Sequence, residues 1–214
     1  MSNKKSVFID TNIIARWVLF SSLLNEKETE KERQEFILEN KKGNSKANKL
    51  YTSYFFMEDV VLKKKTKFNF VYSNLVITEL INVLFENYVA SYMQRNFIPL
   101  SDIHTIRKTF SKGTYDELST KYGNYLDKLK KYLSLIDVAK VDIGMMSGLF
   151  LTEFGLLNHD ALIVAQAVYW ECPYLITNDT ELIDRFKKEN KTTKIIRPET
   201  FLKDVLKISH QSSE

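Results

Sequence analysis

One short stretch near the start of the chain constrains the fold most. Residues 7–9 are apolar, and the acid Asp10 ends the run. A short apolar run bounded by polar residues is typical of a parallel strand covered on both faces, and ligand sites in open α/β sheets lie beyond the carboxyl ends of such strands. Asp10 therefore lies at a position where active sites and ligand sites are common. The alternative is structural, because Asp10, Thr11 and Asn12 are all residue types that cap a helix, and a helix begins near Ile13.

The rest of the chain alternates between strand and helix patterns. Helical spacing of apolar residues predicts helices, and short β-branched or aromatic runs predict strands. Further strands are predicted at 68–72, 135–138, 173–177 and 194–196, and helices at 13–24, 75–92, 141–154, 181–188 and from Pro198 onward. This order predicts an α/β fold with a central, mostly parallel sheet of four or five strands flanked by helices.

The length and composition indicate one folded domain. The chain has 214 residues, of which 44% are hydrophobic, with only 6 Gly and 3 Pro, as in a helix-rich globular protein. We predict a single domain over 1–208 and a flexible tail at 209–214. Two segments enlarge this domain: a charged insertion at about 26–67 and a basic helical region at about 97–135.

The charge and the single cysteine bear on partners and compartment. A net charge of +4 mildly favours a polyanionic partner, although a well-solvated surface is the favoured explanation of this charge taken alone. The lone Cys172 excludes an internal disulfide, fits a reducing cytoplasm, and is interpreted as a packing residue rather than a nucleophile. No run of about 18 apolar residues is present, so we expect a cytoplasmic protein without a membrane partner.

Three further acids share the setting of Asp10. Glu79 shares a helix face with the apolar Val76 and Val83, where a carboxylate is costly unless it is paired or binds a cation. Asp160 opens a helix that Asn158 is predicted to cap, although an acid in a first turn also favours the helix dipole. Asp179 follows the fourth predicted strand.

Together the four acids predict a strongly negative pocket. Carboxylates that lie close together repel one another unless they are protonated or bridged by cations. Hard oxygen ligands favour Mg²⁺ or Mn²⁺. The absence of Cys and His clusters at ligand spacing argues against zinc.

Four motifs make the chain resemble a known family. They are residues 7–12 (VFIDTN), 73–80 (SNLVITEL), 158–165 (NHDALIVA) and 175–179 (LITND). In this order they resemble the PIN-domain ribonucleases, which include the VapC-type toxins of toxin–antitoxin pairs. The segments at 26–67 and 97–135 make this chain larger than a compact toxin, which puts the toxin role in question rather than the nuclease chemistry.

The resemblance implies a structure, a site and partners. The fold would be a PIN-like three-layer sandwich, and the activity would be hydrolysis of RNA phosphodiester bonds. One or two Mg²⁺ or Mn²⁺ ions would be held by Asp10, Glu79, Asp160 and Asp179, with Asn12 and Thr177 as polar supports. An antitoxin protein and a second copy of the chain would be the protein partners.

Basic and aromatic residues suggest where RNA would bind. Lys63, Lys64, Lys65 and Arg107 are predicted to contact the phosphate backbone beyond the negative pocket. Tyr115, Tyr122, Tyr125 and Tyr132 form a stripe that either stacks on bases or packs between helices, and packing is the favoured interpretation.

Three other functions compete with this one. A phosphatase of the haloacid dehalogenase type also begins with a strand ending in Asp, but it needs a second Asp where Asn12 stands. An inactive member of the same fold would act as an RNA-binding or scaffolding protein. A housekeeping RNA-processing nuclease would keep the chemistry but lack an antitoxin gene beside its own.

Overall fold

The structure is a computed structural model, and it describes residues 4–43, 45–63, 66–110, 112–136, 141–186 and 192–208. The strands are β1 (Ser6–Ile9), β2 (Asn69–Ser73), β3 (Ser134–Ile136), β4 (Tyr174–Ile176) and β5 (Lys194–Ile196). The α-helices are α1 (Thr11–Asn25), α2 (Glu30–Lys42), α3 (Ser45–Phe55), α4 (Asn74–Arg95), α5 (Ile103–Thr109), α6 (Lys112–Tyr132), α7 (Val141–Phe154), α8 (Asn158–Tyr169), α9 (Thr180–Phe186) and α10 (Pro198–Thr200). Two π-helical turns (Phe56–Leu62 and Phe201–Val205) and a 3₁₀ turn (Leu100–Asp102) complete the elements.

The sheet confirms the predicted α/β fold. All five strands are parallel and follow the order β3-β2-β1-β4-β5, with helices packed around the sheet. Val7 of the central strand lies opposite Phe70 on one side and Tyr174 on the other. The chain leaves β1 for β2 in one direction and later enters β4 in the other, so the strand order reverses between β1 and β4. This reversal places a crevice at the carboxyl ends of these two strands.

The first strand and helix form around fully buried apolar side chains. Val7, Phe8 and Ile9 are all buried, as expected for a central strand covered on both faces. Along α1, Ile13 and Trp17 are also completely buried and belong to the same hydrophobic core as β1.

The polar residues before three helices act differently. Ser73 caps α4, because its Oγ accepts a hydrogen bond from the backbone N–H of Val76 at 3.5 Å. The prediction that Asn158 caps α8 is wrong, because the helix already includes Asn158 and begins after Leu157. Asp10 precedes α1 but makes no capping hydrogen bond, so the structural alternative for this acid does not account for it.

The segment predicted as a charged insertion consists of two different parts. Helix α2 has no buried residue, and Thr29 and Glu32 begin it with a capping box, in which side chain and backbone bond reciprocally. The π-helical turn after α3 is buried instead, since Phe56 and Met57 are completely buried in the main core. Only the first part is therefore a solvated elaboration.

The tyrosine stripe packs between helices where its side chains are described. Tyr122 and Tyr125 of α6 are buried, and the Tyr125 ring meets Trp17 edge to face at 5.5 Å. The Tyr125 hydroxyl also accepts a hydrogen bond from Asn25 at 2.9 Å. Packing is therefore the correct interpretation for this pair, whereas the Tyr115 side chain lies outside the described part.

The lone cysteine packs in the core. Cys172 is fully buried, and burial raises the pKa of its thiol to about 12, so it is protonated and unreactive at neutral pH. This confirms its interpretation as a packing residue. Among the described helices, none is long and apolar enough to cross a membrane. The tail predicted at 209–214 lies outside the described residues.

The end of α4 yields a stability prediction. Phe97 adopts a left-handed backbone conformation with φ of 56°, while the N–H of Ile98 bonds to the carbonyl of Met93 at 2.9 Å, which is the Schellman pattern that normally uses Gly. The Phe97 side chain is 96% exposed. We expect Phe97→Gly to raise the free energy of unfolding by about 1 kcal/mol, because glycine adopts this conformation without strain.

Urea denaturation of the variant beside wild type measures this effect. Phe97→Ala is the matched control, because it removes the same exposed ring but keeps the Cβ that strains the left-handed conformation. If Phe97→Gly were the less stable of the two variants, strain at Phe97 would not be the dominant factor.

Candidate active site at the carboxyl edge of the sheet

Three polar side chains meet between the ends of β1 and β4. The Thr177 hydroxyl donates a hydrogen bond to Oδ2 of Asp10 at 2.6 Å. The Asn12 amide donates to the same oxygen and to Oγ1 of Thr177 at 2.8 Å. The two residues predicted as polar supports therefore hold one oxygen of the acid and leave Oδ1 without a side-chain donor among the described residues.

The loop after β4 is bound into this triangle. The backbone N–H of Asn178 donates to Oδ1 of Asn12 at 2.9 Å, and that of Asp179 donates to Oγ1 of Thr177 at 3.0 Å. Oδ1 of Asp179 accepts a hydrogen bond from the N–H of Leu182 at 3.0 Å. Asp179 thus caps α9 with one oxygen while it stands beside the other acids.

The electrostatics of Asp10 are unusual. Burial, reinforced by the charges of Glu79 and Asp160, raises its pKa from 3.8 to about 7, although the hydrogen bond from Thr177 opposes the rise. Its side chain is nearly inaccessible to solvent. The fold therefore holds a carboxylate where an anion is disfavoured, a pattern that is concentrated at functional sites.

Glu79 is engaged by a residue that the sequence analysis did not single out. Nε2 of His159 lies 2.5 Å from Oε2 of Glu79, and both side chains are about one-third exposed. Burial alone would raise the pKa of Glu79, but the hydrogen bond and the charge of His159 outweigh it and lower the pKa. The nearby Thr11 hydroxyl acts in the same direction, although its geometry is not that of a normal hydrogen bond.

The pKa shift of His159 is consistent with that of Glu79. The hydrogen bond to Glu79 raises the pKa of His159 despite partial burial. Both shifts favour the ion pair of a protonated imidazole and an ionised carboxylate. In its protonated form, His159 places a positive charge next to Asp160, the following residue.

Asp160 belongs to the same electrostatic cluster. It lies in the first turn of α8 and is half-buried. Burial raises its pKa, as do the charges of Asp179 and Glu79, whereas His159 lowers it. All four predicted acids thus lie close enough to influence at least one other member.

The acids do not form a closed metal cage. Within the described ranges, no group of three or more His, Cys, Asp or Glu side chains converges closely enough to hold one ion. The structure therefore brings Asp10, Glu79, Asp160 and Asp179 to one edge of the sheet but leaves them apart. Closer approach of the side chains would be needed for them to share a cation.

A second residue that the sequence analysis missed is Arg16. It lies on α1, six residues after Asp10, and is the one charged residue of that helix. Burial lowers the pKa of the guanidinium, while the charges of Asp10, Glu199 and Asp179 raise it. Buried Nη1 of Arg16 and buried Oε2 of Glu199 have no hydrogen-bond partner in the described part of the chain. A lone arginine within an apolar helix was the available sequence signal.

Of the residues predicted to bind RNA, the two that the structure describes are both paired with acids. Lys63 forms an ion pair with Asp59, and it lies between Val61 and Thr66, which line a hollow at the opposite, amino-terminal edge of the sheet. Lys64 and Lys65 lie outside the described residues. Arg107 pairs with Glu86 at 2.6 Å. The contact of these residues with the phosphate backbone, beyond the negative pocket, stays a prediction.

No protein-family model matches the chain, and no curated protein matches it either.

Proposed function

We propose that this chain is a metal-dependent endoribonuclease that hydrolyses RNA phosphodiester bonds at the carboxyl edge of its sheet. The observation that carries the proposal is the buried Asp10 carboxylate, whose pKa rises to about 7 beside other acids. A buried carboxylate with a raised pKa destabilises the metal-free protein, and strongly shifted pKa values are concentrated at functional sites. The strand reversal between β1 and β4 is also where ligands bind in open α/β sheets.

The donor set fits a hard divalent cation. Carboxylate oxygens are the ligands that Mg²⁺ and Mn²⁺ prefer, and a dication would relieve the repulsion that raises the pKa of Asp10 and Asp160. Asp10, Asp160 and Asp179 would hold one or two such ions. Glu79 would have to leave His159 to join them.

Each residue has a distinct part in the proposed reaction. A bound dication would supply an activated water and stabilise negative charge on the phosphate. Asn12 and Thr177 hold Oδ2 of Asp10 and thereby orient its other oxygen. Arg16 adds a fixed positive charge beside Asp10 and Asp179, which reduces the net negative charge that the anionic substrate meets.

A second candidate function is an inactive RNA-binding or scaffolding protein. The ion pair between Glu79 and His159 favours it, because that pair already satisfies one of the four acids without a metal. The other three acids have no such partner cation within ion-pair distance among the described residues, which favours the nuclease.

The biological role of the nuclease is a separate part of the proposal. A toxin would act in the cytoplasm on cellular RNA, and its gene would lie beside a small antitoxin gene. A housekeeping RNA-processing enzyme would have no such neighbour. A second copy of the chain is the remaining proposed partner, and gel filtration with light scattering tests it.

The decisive experiment is cleavage of labelled single-stranded and structured RNA with Mg²⁺, Mn²⁺ or EDTA. We expect cutting with either metal and none in EDTA. Asp160→Asn should reduce the rate by about 100-fold or more, because loss of groups that only support a metal ligand already costs about 10- to 100-fold.

Asp116→Asn is the matched control, since it removes an exposed acid from α6, away from the sheet edge. Its rate should stay within about twofold of wild type. If wild type bound RNA but did not cut it with any metal, and Asp160→Asn bound equally well, the inactive RNA-binding protein would replace the nuclease as the preferred function.

A further inference from the structure

A basic groove crosses the amino-terminal edge of the sheet, on the side opposite the acids. Two adjoining hollows share Lys4 and Phe68 and form one continuous depression. We call it the amino-edge groove, and the residues that define it are Lys4, Lys5, Lys67, Phe68, Lys131 and Tyr174. None of them belongs to the site at the carboxyl edge.

The groove follows from the parallel topology. Its wall passes from the start of β3, across those of β2 and β1, to the start of β4. Three spacings between neighbouring strands amount to about 14 Å. A ligand that contacts Lys131 beside β3, Lys5 beside β1 and Tyr174 on β4 must therefore be extended and carry more than one anionic group.

The charge of the groove differs from that of the rest of the surface. The whole chain has 31 basic and 27 acidic residues, whereas the groove has four exposed lysines and, among its described residues, the single acid Asp204. Lys4, Lys5 and Lys67 have no ion-pair partner in the described part of the chain. The ammonium of Lys131 lies over the Tyr132 ring, 5.2 Å from its centroid.

Aromatic and amide groups line the floor of the groove. The rings of Phe68 and Tyr174 meet edge to face with centroids 6.0 Å apart, and both side chains are half-buried. Beside them, the Ser134 hydroxyl donates to Oδ1 of Asn69 at 3.3 Å. Lysines that follow a backbone, with rings on which bases stack, are the usual combination for single-stranded nucleic acid.

We infer that the amino-edge groove is a second binding surface for single-stranded RNA, remote from the acids at the carboxyl edge. The lysines contact successive phosphates, and an unpaired base stacks against the Phe68–Tyr174 pair. The aromatic floor favours RNA over an acidic peptide, which would use the lysines alone. The inference rests on the proposed function only in taking RNA as the ligand.

The test measures binding without cleavage. Fluorescence anisotropy with a single-stranded RNA of about 20 nucleotides is recorded in EDTA over a series of salt concentrations. For Lys4→Gln/Lys67→Gln/Lys131→Gln, we expect the dissociation constant to rise about tenfold or more. The slope of log affinity against log salt should fall by about 2, since each phosphate contact on a single strand contributes about 0.7.

Two further variants keep this test interpretable. Lys31→Gln/Lys42→Gln/Lys108→Gln removes the same charge from α2 and α5 and should leave the slope unchanged. Lys4→Arg/Lys67→Arg/Lys131→Arg keeps the charge and should retain the binding. Circular dichroism and thermal melting establish that each variant folds.

Several outcomes would overturn the inference. It fails if the groove variant binds like wild type, if the control variant loses as much affinity, or if an acidic peptide of equal charge competes as well as RNA. The proposed nuclease can fail independently: wild type that never cuts RNA, together with weakened binding in the groove variant, would remove the nuclease and support the groove.

Discussion

Asp10→Asn is expected to abolish RNA cleavage while making the metal-free protein more stable. The substitution removes the carboxylate at the strand reversal, and we expect at least about a 1,000-fold loss of rate, because metal-assisted charge stabilisation contributes several kcal/mol to such reactions. The asparagine oxygen can still accept the hydrogen bonds from Thr177 and Asn12. The fold therefore loses a disfavoured charge without losing its local contacts.

The gain in stability should depend on pH. Folded Asp10 has a pKa of about 7, above its ordinary value of 3.8, so the folded state binds this proton more tightly than the unfolded chain does. Stability of wild type relative to Asp10→Asn therefore falls as pH rises from about 4 to 7 and is lowest above 7. We expect a difference of roughly 2–4 kcal/mol above pH 7 and almost none below pH 4.

Urea denaturation in EDTA across this pH range measures the effect. Added Mg²⁺ should then stabilise wild type, because a ligand that binds only the folded state raises its stability, and should stabilise Asp10→Asn much less. A variant that is less stable than wild type at pH 8, or one that still cuts RNA, would contradict the part assigned to Asp10.

Phe56→Ala is expected to have the largest effect on stability. Phe56 is fully buried, and its ring meets those of Phe70 and Phe201 edge to face at 5.8 and 5.9 Å. Loss of such a ring from a close-packed core costs about 3–5 kcal/mol. Because residues 26–67 were predicted as an insertion, this variant tests whether the end of that segment belongs to the core.

Leu38→Ala is the control within the same segment. Leu38 lies on α2 and is 50% exposed, so its truncation should cost at most about 0.5 kcal/mol. Denaturation midpoints of the two variants give the comparison. Equal midpoints would mean that the π-helical turn contributes no more to the core than α2 does.

The sheet could be predicted because its strands are short apolar runs with polar boundaries. The predicted strand at 194–196 coincides with β5, and the one at 173–177 contains β4. Connectivity then placed Asp10 and Asp179 at the same edge, since parallel strands share a direction. Local pattern and topology were sufficient for this part of the candidate site.

The partners of the acids could not be predicted from the sequence. Glu79 and His159 are 80 residues apart, and their contact depends on how α4 and α8 face each other across the sheet edge. Asp179 also caps α9, so the same acid stabilises a helix and raises the pKa of Asp160. Side-chain partners of this kind are set by packing, for which a single sequence contains no direct signal.

One error came from giving charge more weight than hydrophobicity. The prediction of an insertion groups the apolar residues Phe56 and Met57 with the charged run before them, although their hydrophobicity indicates the burial that the structure shows. For the lysine run that includes Lys63, contact with RNA phosphates stays a prediction. The run directly precedes β2, and residues just before a parallel strand lie at its amino end, opposite the edge of the acids.

The position of β1 in the middle of the sheet has a consequence for synthesis of the chain. β1 is made first, but its second neighbour, β4, follows more than 160 residues later, and the hydrogen bond from Thr177 to Asp10 spans 167 positions. A growing chain on the ribosome thus has no completed acidic crevice until β4 has emerged. The proposed nuclease would therefore stay inactive towards the RNA around it until residues 174–179 have emerged.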